Sequence, residues 1–481
     1  MKDLQNILPE LPTAFLNRMA TLLGDEFDDY LSSLNQPPSV GIRVNTLKIS
    51  PESFIHISPY KLSLIPWCSS GFTIEDLSLE SGHPPPGKNF YHTAGLYYLQ
   101  EPSAMAAVEA MSPKPGEKVL DLAAAPGGKA THLAALMKNT GFLVANEIHG
   151  RRVWDLAENL ERCGVTNAAV TNETPQRLAK RFSDYFDRVL LDAPCSGEGM
   201  FRKSEIARKE WKPDSPRSCA MRQSAILEQA AHMVKPGGCL AYTTCTFSPE
   251  ENEGVIARFL EYHPEFDLMI IEKLPGLSPS KPEWIGLPAD HIISKTFRIW
   301  PHLSSGEGHY IALLLKNSSI EINNRNNRNK EYSLKKAHIQ KEFMFSRGSL
   351  DDFASMNLNL SFEDRSIHID RSYVYCLPEN SPNLNGLKVI HPGWWIGSIQ
   401  KDRFTPSHAL AMGIKADQAI NSISFHLEDK TIAAYLGGES FSNSGENEWV
   451  LITIDGFSIG WGKRVQNVVK NYYPHGLRLR S

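Results

Sequence analysis

The segment that begins at Lys118 alternates short apolar stretches with amphipathic ones, and this alternation is the strongest constraint on the fold. Strands that alternate with helices at such spacing form βαβ units, and their mainly parallel strands lie in a doubly wound sheet. Strands are predicted at residues 119–122, 142–147, 168–170, 187–192, 239–243, 266–272 and 308–316, and helices at residues 127–138, 150–163 and 217–233. The sequence therefore predicts an α/β core built on a seven-stranded sheet.

A further helix is predicted to start at Ser248. Ser248 would be the N-cap, Pro249 the first helical residue and Glu251 the third, which is the pattern of a capping box.

The composition on either side of this core divides the 481 residues into further segments. An N-terminal α/β extension, with a helix at 11–34 and a strand at 40–49, precedes the core. The Asn-rich stretch 317–330 predicts a linker. The last segment is rich in Gly, Trp and short strands, which is typical of a small β-barrel or sandwich. The predicted segments are 1–100, 101–316, 317–330, 331–385 and 386–481, and the predicted strands of the last are 387–390, 394–397, 433–436 and 449–454.

The overall composition is that of a folded protein outside the membrane. Apolar residues make up 41% and charged residues 22%, and no apolar run reaches 18 residues. The N-terminus lacks a secretory pattern, and the seven cysteines include no C-x-x-C pair. We therefore expect a reducing, cytoplasmic location, no disulfide framework and no metal site.

The net charge of −4 does not by itself indicate a nucleic-acid partner, but the distribution of charge does. Residues 201–222 and 321–347 each hold seven basic and three acidic residues, and residues 463–481 hold five basic and none acidic. A solvated basic face would explain any one of these stretches. Together, the three favour RNA or DNA as a partner.

The loop between the first strand and helix of the core is made of small residues, which let backbone N–H groups approach a ligand closely. It consists of Ala123, Ala124, Ala125, Pro126, Gly127, Gly128 and Lys129. Neither a P-loop nor a G-x-G-x-x-G dinucleotide fingerprint fits these residues. S-adenosyl-L-methionine has no pyrophosphate and needs no such fingerprint. Glu147, 19 residues after Gly128, would bind its ribose hydroxyls, and the alternative is that Glu147 is a surface residue.

Two cysteines follow the ends of neighbouring strands, where ligands bind in a doubly wound sheet. Cys195 lies three residues after Asp192, and Cys245 follows Thr244. A thiolate beside a methyl donor suits methylation of a pyrimidine at C5, because its addition to C6 makes C5 nucleophilic. Asp192 would stabilise the charge that develops on the ring. The other five cysteines are read as buried apolar residues.

These stretches resemble the Sun (Fmu/Sun) family of RNA cytosine-5 methyltransferases. The matching residues are 43–48, 100–103, 121–129, 192–197 and 244–246. The resemblance implies that Cys245 is the nucleophile and Cys195 assists product release, whereas spacing alone leaves the two roles open. It also implies S-adenosyl-L-methionine as cofactor, bound by 123–129, Glu147 and Asp192. The adenine-side aspartate of the family corresponds to Thr174, so Thr174 or its neighbour Glu173 would replace it.

The C-terminal stretches 456–463 and 470–474 resemble the PUA-like end domain of the small-subunit rRNA branch of this family. The resemblance implies a decoding-region cytosine of 16S rRNA, within the 30S subunit, as substrate. From the residues alone, this aromatic and basic module would bind RNA or dock a protein. A tRNA substrate is one alternative. A silent methyltransferase fold in an assembly factor is another, although Asp192, Glu147 and both cysteines are intact.

Overall fold

The computed structural model describes residues 11–75, 83–271, 275–318 and 336–479. Nearly all of the predicted linker at 317–330 lies outside the described residues, as do Glu272 and Arg480. None of the described helices is long and apolar enough to cross a membrane.

The N-terminal part is a four-stranded antiparallel sheet with four helices. The strands pair in the order β2-β3-β1-β4. The elements are α1 (Thr13–Leu23), α2 (Phe27–Leu34), β1 (Gly41–Val44), α3 (Pro51–Ile57), β2 (Leu62–Ile65), β3 (Cys68–Ile74), α4 (Phe90–Thr93) and β4 (Tyr97–Leu99). The prediction of one helix over 11–34 is wrong, because Gly24 adopts a positive φ of 55° that ends α1 before α2 begins.

The central part is the doubly wound α/β core that the alternating pattern predicts. Its helices are α5 (Pro102–Met111), α6 (Gly128–Leu136), α7 (Arg152–Arg162), α8 (Pro175–Arg181), α9 (Glu205–Glu210), α10 (Ser215–Met233) and α11 (Glu253–Tyr262). Its strands are β5 (Lys118–Asp121), β6 (Phe142–Asn146), β7 (Ala168–Thr171), β8 (Phe186–Asp192), β9 (Val234–Thr244), β10 (Phe266–Leu268), β11 (Ser278–Pro279), β12 (Phe297–Ile299) and β13 (His309–Lys316).

The sheet order places the ends of the parallel strands together. Strands β9-β8-β5-β6-β7 are parallel, and β13 runs antiparallel to β9 and pairs with β10. These seven strands are the predicted sheet, and three more strands extend it to ten. Alternate residues of each strand face opposite apolar layers, one with α5, α6 and α7 and the other with α8, α10 and α11. The carboxyl ends of β5, β6, β8 and β9 therefore share one edge.

The predicted capping box at Ser248 is wrong. Helix α11 begins only at Glu253, with Asn252 before it. The Ser248 hydroxyl donates to Glu250 at 2.6 Å, and the Glu251 carboxylate accepts the backbone N–H of Ser196 at 2.9 Å. The capping box does not form because the Glu251 carboxylate accepts a hydrogen bond from the loop after β8 instead.

The C-terminal part contains two further sheets and three helices. The strands pair in the orders β14-β15-β17-β18 and β19-β21-β22-β23-β20. The elements are α12 (Lys336–Asn357), β14 (Ile367–Asp370), β15 (Tyr373–Cys376), β16 (Val389–His391), β17 (Trp394–Gln400), β18 (Arg403–Pro406), α13 (His408–Gly413), β19 (Ser422–Phe425), α14 (Lys430–Gly437), β20 (Phe441–Ser442), β21 (Trp449–Ile454), β22 (Phe457–Val465) and β23 (Val468–Asn471). The predicted strand at 433–436 is wrong. It is helical, and Asp429 caps α14 by accepting the N–H of Thr431 at 2.7 Å.

Strand β16 belongs to the central sheet rather than to the C-terminal sheets. It pairs antiparallel with β7, and the N–H of Asn172 donates to the carbonyl of Lys388 at 2.9 Å. The N–H of Lys388 donates to the Glu173 carboxylate at 2.6 Å. Leu384 and Leu387, just before β16, pack against the core. The C-terminal part thus completes an edge of the central sheet.

A chain that ends at Asn317 is expected to have a lower melting temperature than the full chain. It would lose β16 and expose the edge of β7, although it would keep the small-residue loop at 123–129 and Glu147. Thermal unfolding of both chains tests this, with Leu387→Ala as a milder change at the same edge. Equal melting temperatures for the full and shortened chains would show that β16 adds no stability.

The N-terminal and C-terminal parts also pack against each other. Their apolar residues form one buried cluster, in which Ile42 and Phe54 join Ile432 and Val450. The Tyr91 hydroxyl donates to the Asp455 carboxylate at 2.8 Å. Both parts therefore have a fixed position beside the central sheet.

Candidate active site

The structure brings the two strand-end cysteines into contact. The register of β8 and β9 places Asp192 beside Thr243, so the loops that follow run side by side. The Sγ atoms of Cys195 and Cys245 are 3.3 Å apart, and both residues are free thiols at a half-buried position. Both predicted reactive thiols therefore face one space at the carboxyl edge of the sheet.

The Cys245 loop is held in place by hydrogen bonds on both sides. The Thr244 hydroxyl donates to the Asn252 side chain at 2.6 Å, and the Asn252 amide donates to the carbonyl of Thr246 at 2.9 Å. The N–H of Gly199 donates to the carbonyl of Cys245 at 2.9 Å. A Cβ at Gly199 would lie only 2.8 Å from that carbonyl oxygen, so this close approach requires glycine. The thiol is thus presented from a rigid loop.

Glu251 joins the two cysteine loops, a role that the sequence analysis missed because it assigned Glu251 to a capping box. Its fully buried carboxylate accepts the Ser196 N–H at 2.9 Å, the Gln223 amide at 2.8 Å and the Thr246 hydroxyl at 3.3 Å. The Ser196 hydroxyl donates to it as well. Burial raises the pKa of Glu251 to about 7, and the hydrogen bonds from Ser196 oppose this increase.

Glu251→Gln is expected to change how the unfolding free energy depends on pH. The pKa of about 7 in the fold exceeds the value of 4.5 for a free carboxyl, so the folded state binds the proton more tightly. This stabilisation is full at low pH and is lost as pH rises through 7. Glutamine can keep the same contacts but does not titrate. Denaturant unfolding measures the unfolding free energy of both proteins between pH 5 and 8. We expect the wild type to lose stability relative to the variant as pH rises. An equal pH dependence in the two proteins would contradict the raised pKa of Glu251.

The two thiols differ in their electrostatic surroundings. The hydrogen bond with Cys245, followed by burial and the charge of Glu251, raises the pKa of Cys195 far above its ordinary value. Cys195 therefore stays protonated.

Lys129 Nζ lies 2.7 Å from the Asp192 carboxylate. Burial alone would lower the pKa of Lys129, but Asp192 and then Cys245 raise it, so Lys129 carries a positive charge near Cys245.

The ends of β5 and β6 provide a cradle that fits S-adenosyl-L-methionine. Both carboxylate oxygens of Asp121 are buried without a partner among the described residues, and burial and then Asp192 raise its pKa to about 7. Gly127 has a φ of 115°, which lets the loop turn tightly before α6. Glu147 is buried and accepts the N–H of His149 at 2.8 Å. Acids at both strand ends and a small loop between them suit a ligand with hydroxyl and ammonium groups.

The residues predicted near the adenine already have protein partners. The Thr174 hydroxyl caps α8 by accepting the N–H of Arg177 at 3.4 Å. The Glu173 carboxylate lies 2.8 Å from Arg177 Nε and also binds Lys388. The adenine contact of Thr174 stays a prediction.

A second buried cluster lies apart from the two thiols, where Cys68, Glu109 and His132 place their possible ligand atoms within 4.8 Å of one another. His132 Nε2 and Glu109 already form a hydrogen bond of 3.1 Å. Burial, and then the charge of Arg43, lowers the pKa of His132 to about 4. A neighbouring guanidinium group disfavours a metal cation, so the cluster is explained by internal hydrogen bonding.

This doubly wound sheet, with a small-residue loop after its first parallel strand and buried acids at its strand ends, defines the class of S-adenosyl-L-methionine-dependent methyltransferases. Family models match most of the chain. The model described as 16S rRNA methyltransferase RsmB/F matches residues 108–315, and RsmF models for an N-terminal, a first C-terminal and a PUA domain match 11–102, 352–414 and 422–479. The chain belongs to the RsmB/F family of 16S rRNA methyltransferases. It uses S-adenosyl-L-methionine, as predicted.

Similar proteins cover nearly the whole length of the chain. Ribosomal RNA small subunit methyltransferase F of Vibrio vulnificus (strain YJ016) is 35% identical over 476 residues, with 97% of each chain covered. The protein of the same name in Aeromonas salmonicida (strain A449) is 32% identical over 495 residues, again with 97% of each covered.

Solved structures confirm the fold of nearly two thirds of the chain. A methyltransferase homolog from Pyrococcus horikoshii is 32% identical with a TM-score of 0.54, covering 63% of this chain and 94% of that one. NSun6 from the same organism shares the fold at 24% identity and a TM-score of 0.55, covering 64% of this chain and 99% of that one.

Proposed function

We propose that this protein methylates C5 of a cytosine in 16S rRNA through a covalent bond between Cys245 and C6 of the base. The observation that carries this proposal is the pair of thiols 3.3 Å apart at the carboxyl edge of the sheet. Lys129 and Asp192 lie beside them. Activation of a pyrimidine ring requires a nucleophile and a group that stabilises ring charge, and this edge supplies both.

The first step is addition of the Cys245 thiolate to C6. A sulfur–carbon bond forms, and the electron pair of the C5–C6 double bond moves to C5 and the ring nitrogens. Asp192, whose carboxylate lies 2.7 Å from Lys129 Nζ, takes up the proton that the Cys245 thiol releases and donates it to N3, which stabilises this charge. Bound S-adenosyl-L-methionine supplies the methyl group that C5 then accepts.

The second step regenerates the double bond and frees the enzyme. C5 loses its proton to water, the electron pair of that bond re-forms the C5–C6 double bond, and the sulfur–carbon pair returns to Cys245. Because Cys195 stays protonated, its S–H can donate to the departing sulfur 3.3 Å away. This contact supports product release as the role of Cys195.

Two helix residues near the thiols are the best-placed candidates for holding rRNA. Arg217 and Arg222 are exposed on α10, and Gln223 of the same helix contacts the carbonyl of Pro194 at 3.1 Å. Other basic residues of the predicted stretches form ion pairs within the protein instead. Arg202 forms a buried ion pair with Glu307 at 2.7 Å, and Arg464 is buried against Glu448.

The C-terminal tail contributes Lys463, Lys470 and Arg478 to the candidate RNA surface, and Lys470 is exposed. The names of the relatives, which specify the ribosomal small subunit, support 16S rRNA over tRNA. The domain proposed over 386–481 would use these residues to hold the rRNA. Phosphate contacts are needed there because extrusion of the target base costs a few kcal/mol.

The double variant Arg217→Ala/Arg222→Ala is expected to weaken rRNA binding and flatten its salt dependence. Loss of two phosphate contacts should reduce the slope of log K against log salt by about 1.8. Lys235→Ala is a matched control, since Lys235 is 45% exposed at the amino end of β9, opposite the thiols. Filter binding across a salt series measures the slopes, and an unchanged slope in the double variant would remove α10 from the RNA surface.

Transfer of a labelled methyl group tests the proposed function. The protein is incubated with labelled S-adenosyl-L-methionine and with 30S subunits, free 16S rRNA or tRNA, and the product nucleosides are separated. We expect label in 5-methylcytidine from 16S rRNA. Label only in tRNA, label in another nucleoside, or no label at all would refute the proposal.

A further inference from the structure

His309 is a buried histidine at the active site that the proposed mechanism does not use. It is the first residue of β13 and is only 4% exposed. Both of its ring nitrogens are buried and have no hydrogen-bond partner within the described part of the chain. A buried polar group without a partner costs free energy, and such groups in a native fold call for a functional explanation.

The strand register places His309 next to the proposed nucleophile. Strands β13 and β9 are antiparallel, and their last pair is Tyr310 with Thr244, so His309 and Cys245 each lie one residue beyond that pair, at positions that the register brings opposite each other. Side chains at opposed positions lie on the same face of a sheet. The backbone agrees, because a Cβ at Gly199 would contact both the Cys245 carbonyl at 2.8 Å and the Gly308 carbonyl at 3.0 Å.

His309 also lies near the ion pair of Lys129 and Asp192, because both charges act on its imidazole. Burial and then Lys129 lower its pKa to about 3, whereas Asp192 opposes this decrease. The imidazole is therefore neutral, and a neutral imidazole offers one N–H donor and one acceptor. His309 thus lies near Cys245 and the Lys129–Asp192 pair, where the proposed function places the reacting base.

We propose that His309 binds the target base, with its free ring nitrogens forming hydrogen bonds to the polar edge of the cytosine. This inference rests on the proposed function, because it assumes that a cytosine enters beside Cys245. The cytosine edge carries an amino donor and two acceptors, N3 and O2, so it can pair with either nitrogen of a neutral imidazole. The ring nitrogens, which have no partner among the described residues, thus gain partners in the substrate complex.

His309→Phe tests the inference because phenylalanine keeps a ring but removes both nitrogens. The value of kcat/KM for 16S rRNA is expected to fall roughly three- to tenfold, as for loss of a neutral hydrogen bond. The affinity for S-adenosyl-L-methionine should stay the same. The melting temperature should rise, since the variant no longer buries unpaired polar atoms. A purely structural histidine would instead lose stability on replacement.

His263→Phe is the matched control. His263 is also buried, but its ring nitrogens lie 2.9 Å from Glu265 and 2.8 Å from Glu228, away from the thiols. Its replacement should lower the melting temperature and leave kcat/KM unchanged. His309→Gln, which keeps a donor and an acceptor, should recover part of the lost activity.

Wild-type kcat/KM in His309→Phe would overturn the inference, as would a selective loss of cofactor affinity, which would place His309 at the cofactor instead. Failure of the wild-type protein to form 5-methylcytidine would overturn the proposed function itself. The two failures are therefore distinguishable.

Discussion

Cys245→Ala is expected to abolish methyl transfer and covalent attachment to RNA, whereas Cys195→Ala is expected to trap the covalent adduct. Without the Cys245 sulfur, no bond to C6 can form and C5 stays unreactive. Without the Cys195 thiol 3.3 Å away, the bond still forms, but the departing sulfur loses its hydrogen-bond donor. A denaturing gel with labelled rRNA should show a slowly migrating species only for Cys195→Ala.

Cys219→Ala provides the control for this experiment, because Cys219 is half-buried on neighbouring α10 but is not one of the paired thiols. It should behave as wild type. An adduct that accumulates with Cys245→Ala would reverse the two proposed roles. An adduct with neither variant would argue against covalent catalysis altogether.

Glu147→Ala is expected to lower the affinity for S-adenosyl-L-methionine roughly ten- to a hundredfold. The variant removes a buried carboxylate at the end of β6, and hydrogen bonds to a charged group are worth about 1.5–3 kcal/mol. Titration calorimetry measures the affinity directly.

Glu173→Ala is the comparison for Glu147→Ala, because the Glu173 carboxylate is also buried but binds Arg177 and Lys388. It should cost stability more than cofactor affinity. Unchanged cofactor binding in Glu147→Ala would place Glu147 outside the cofactor site. A larger loss of affinity in Glu173→Ala would instead support the predicted adenine-side contact.

The amino-acid sequence by itself determined the fold class of the central part and the edge of the sheet at which its reactive cysteines lie. The ends of the predicted strands at 119–122 and 187–192 all lie within one residue of the ends of β5 and β8, because apolar periodicity is a local property. Since parallel strands share one carboxyl edge, the positions of Cys195 and Cys245 after neighbouring strands predicted that both thiols face one pocket, and their Sγ atoms are 3.3 Å apart.

Only the tertiary structure decided which partner each side chain would take. Glu251 has the spacing of a capping box, yet it binds Ser196, and Arg202 lies in a basic stretch, yet it is buried against Glu307. Strand β16 pairs with β7 although more than 200 residues separate Asn172 from Lys388. The unpartnered nitrogens of His309 are likewise visible only once every neighbour is in place. These features depend on contacts between distant segments, which no local pattern of residue types encodes.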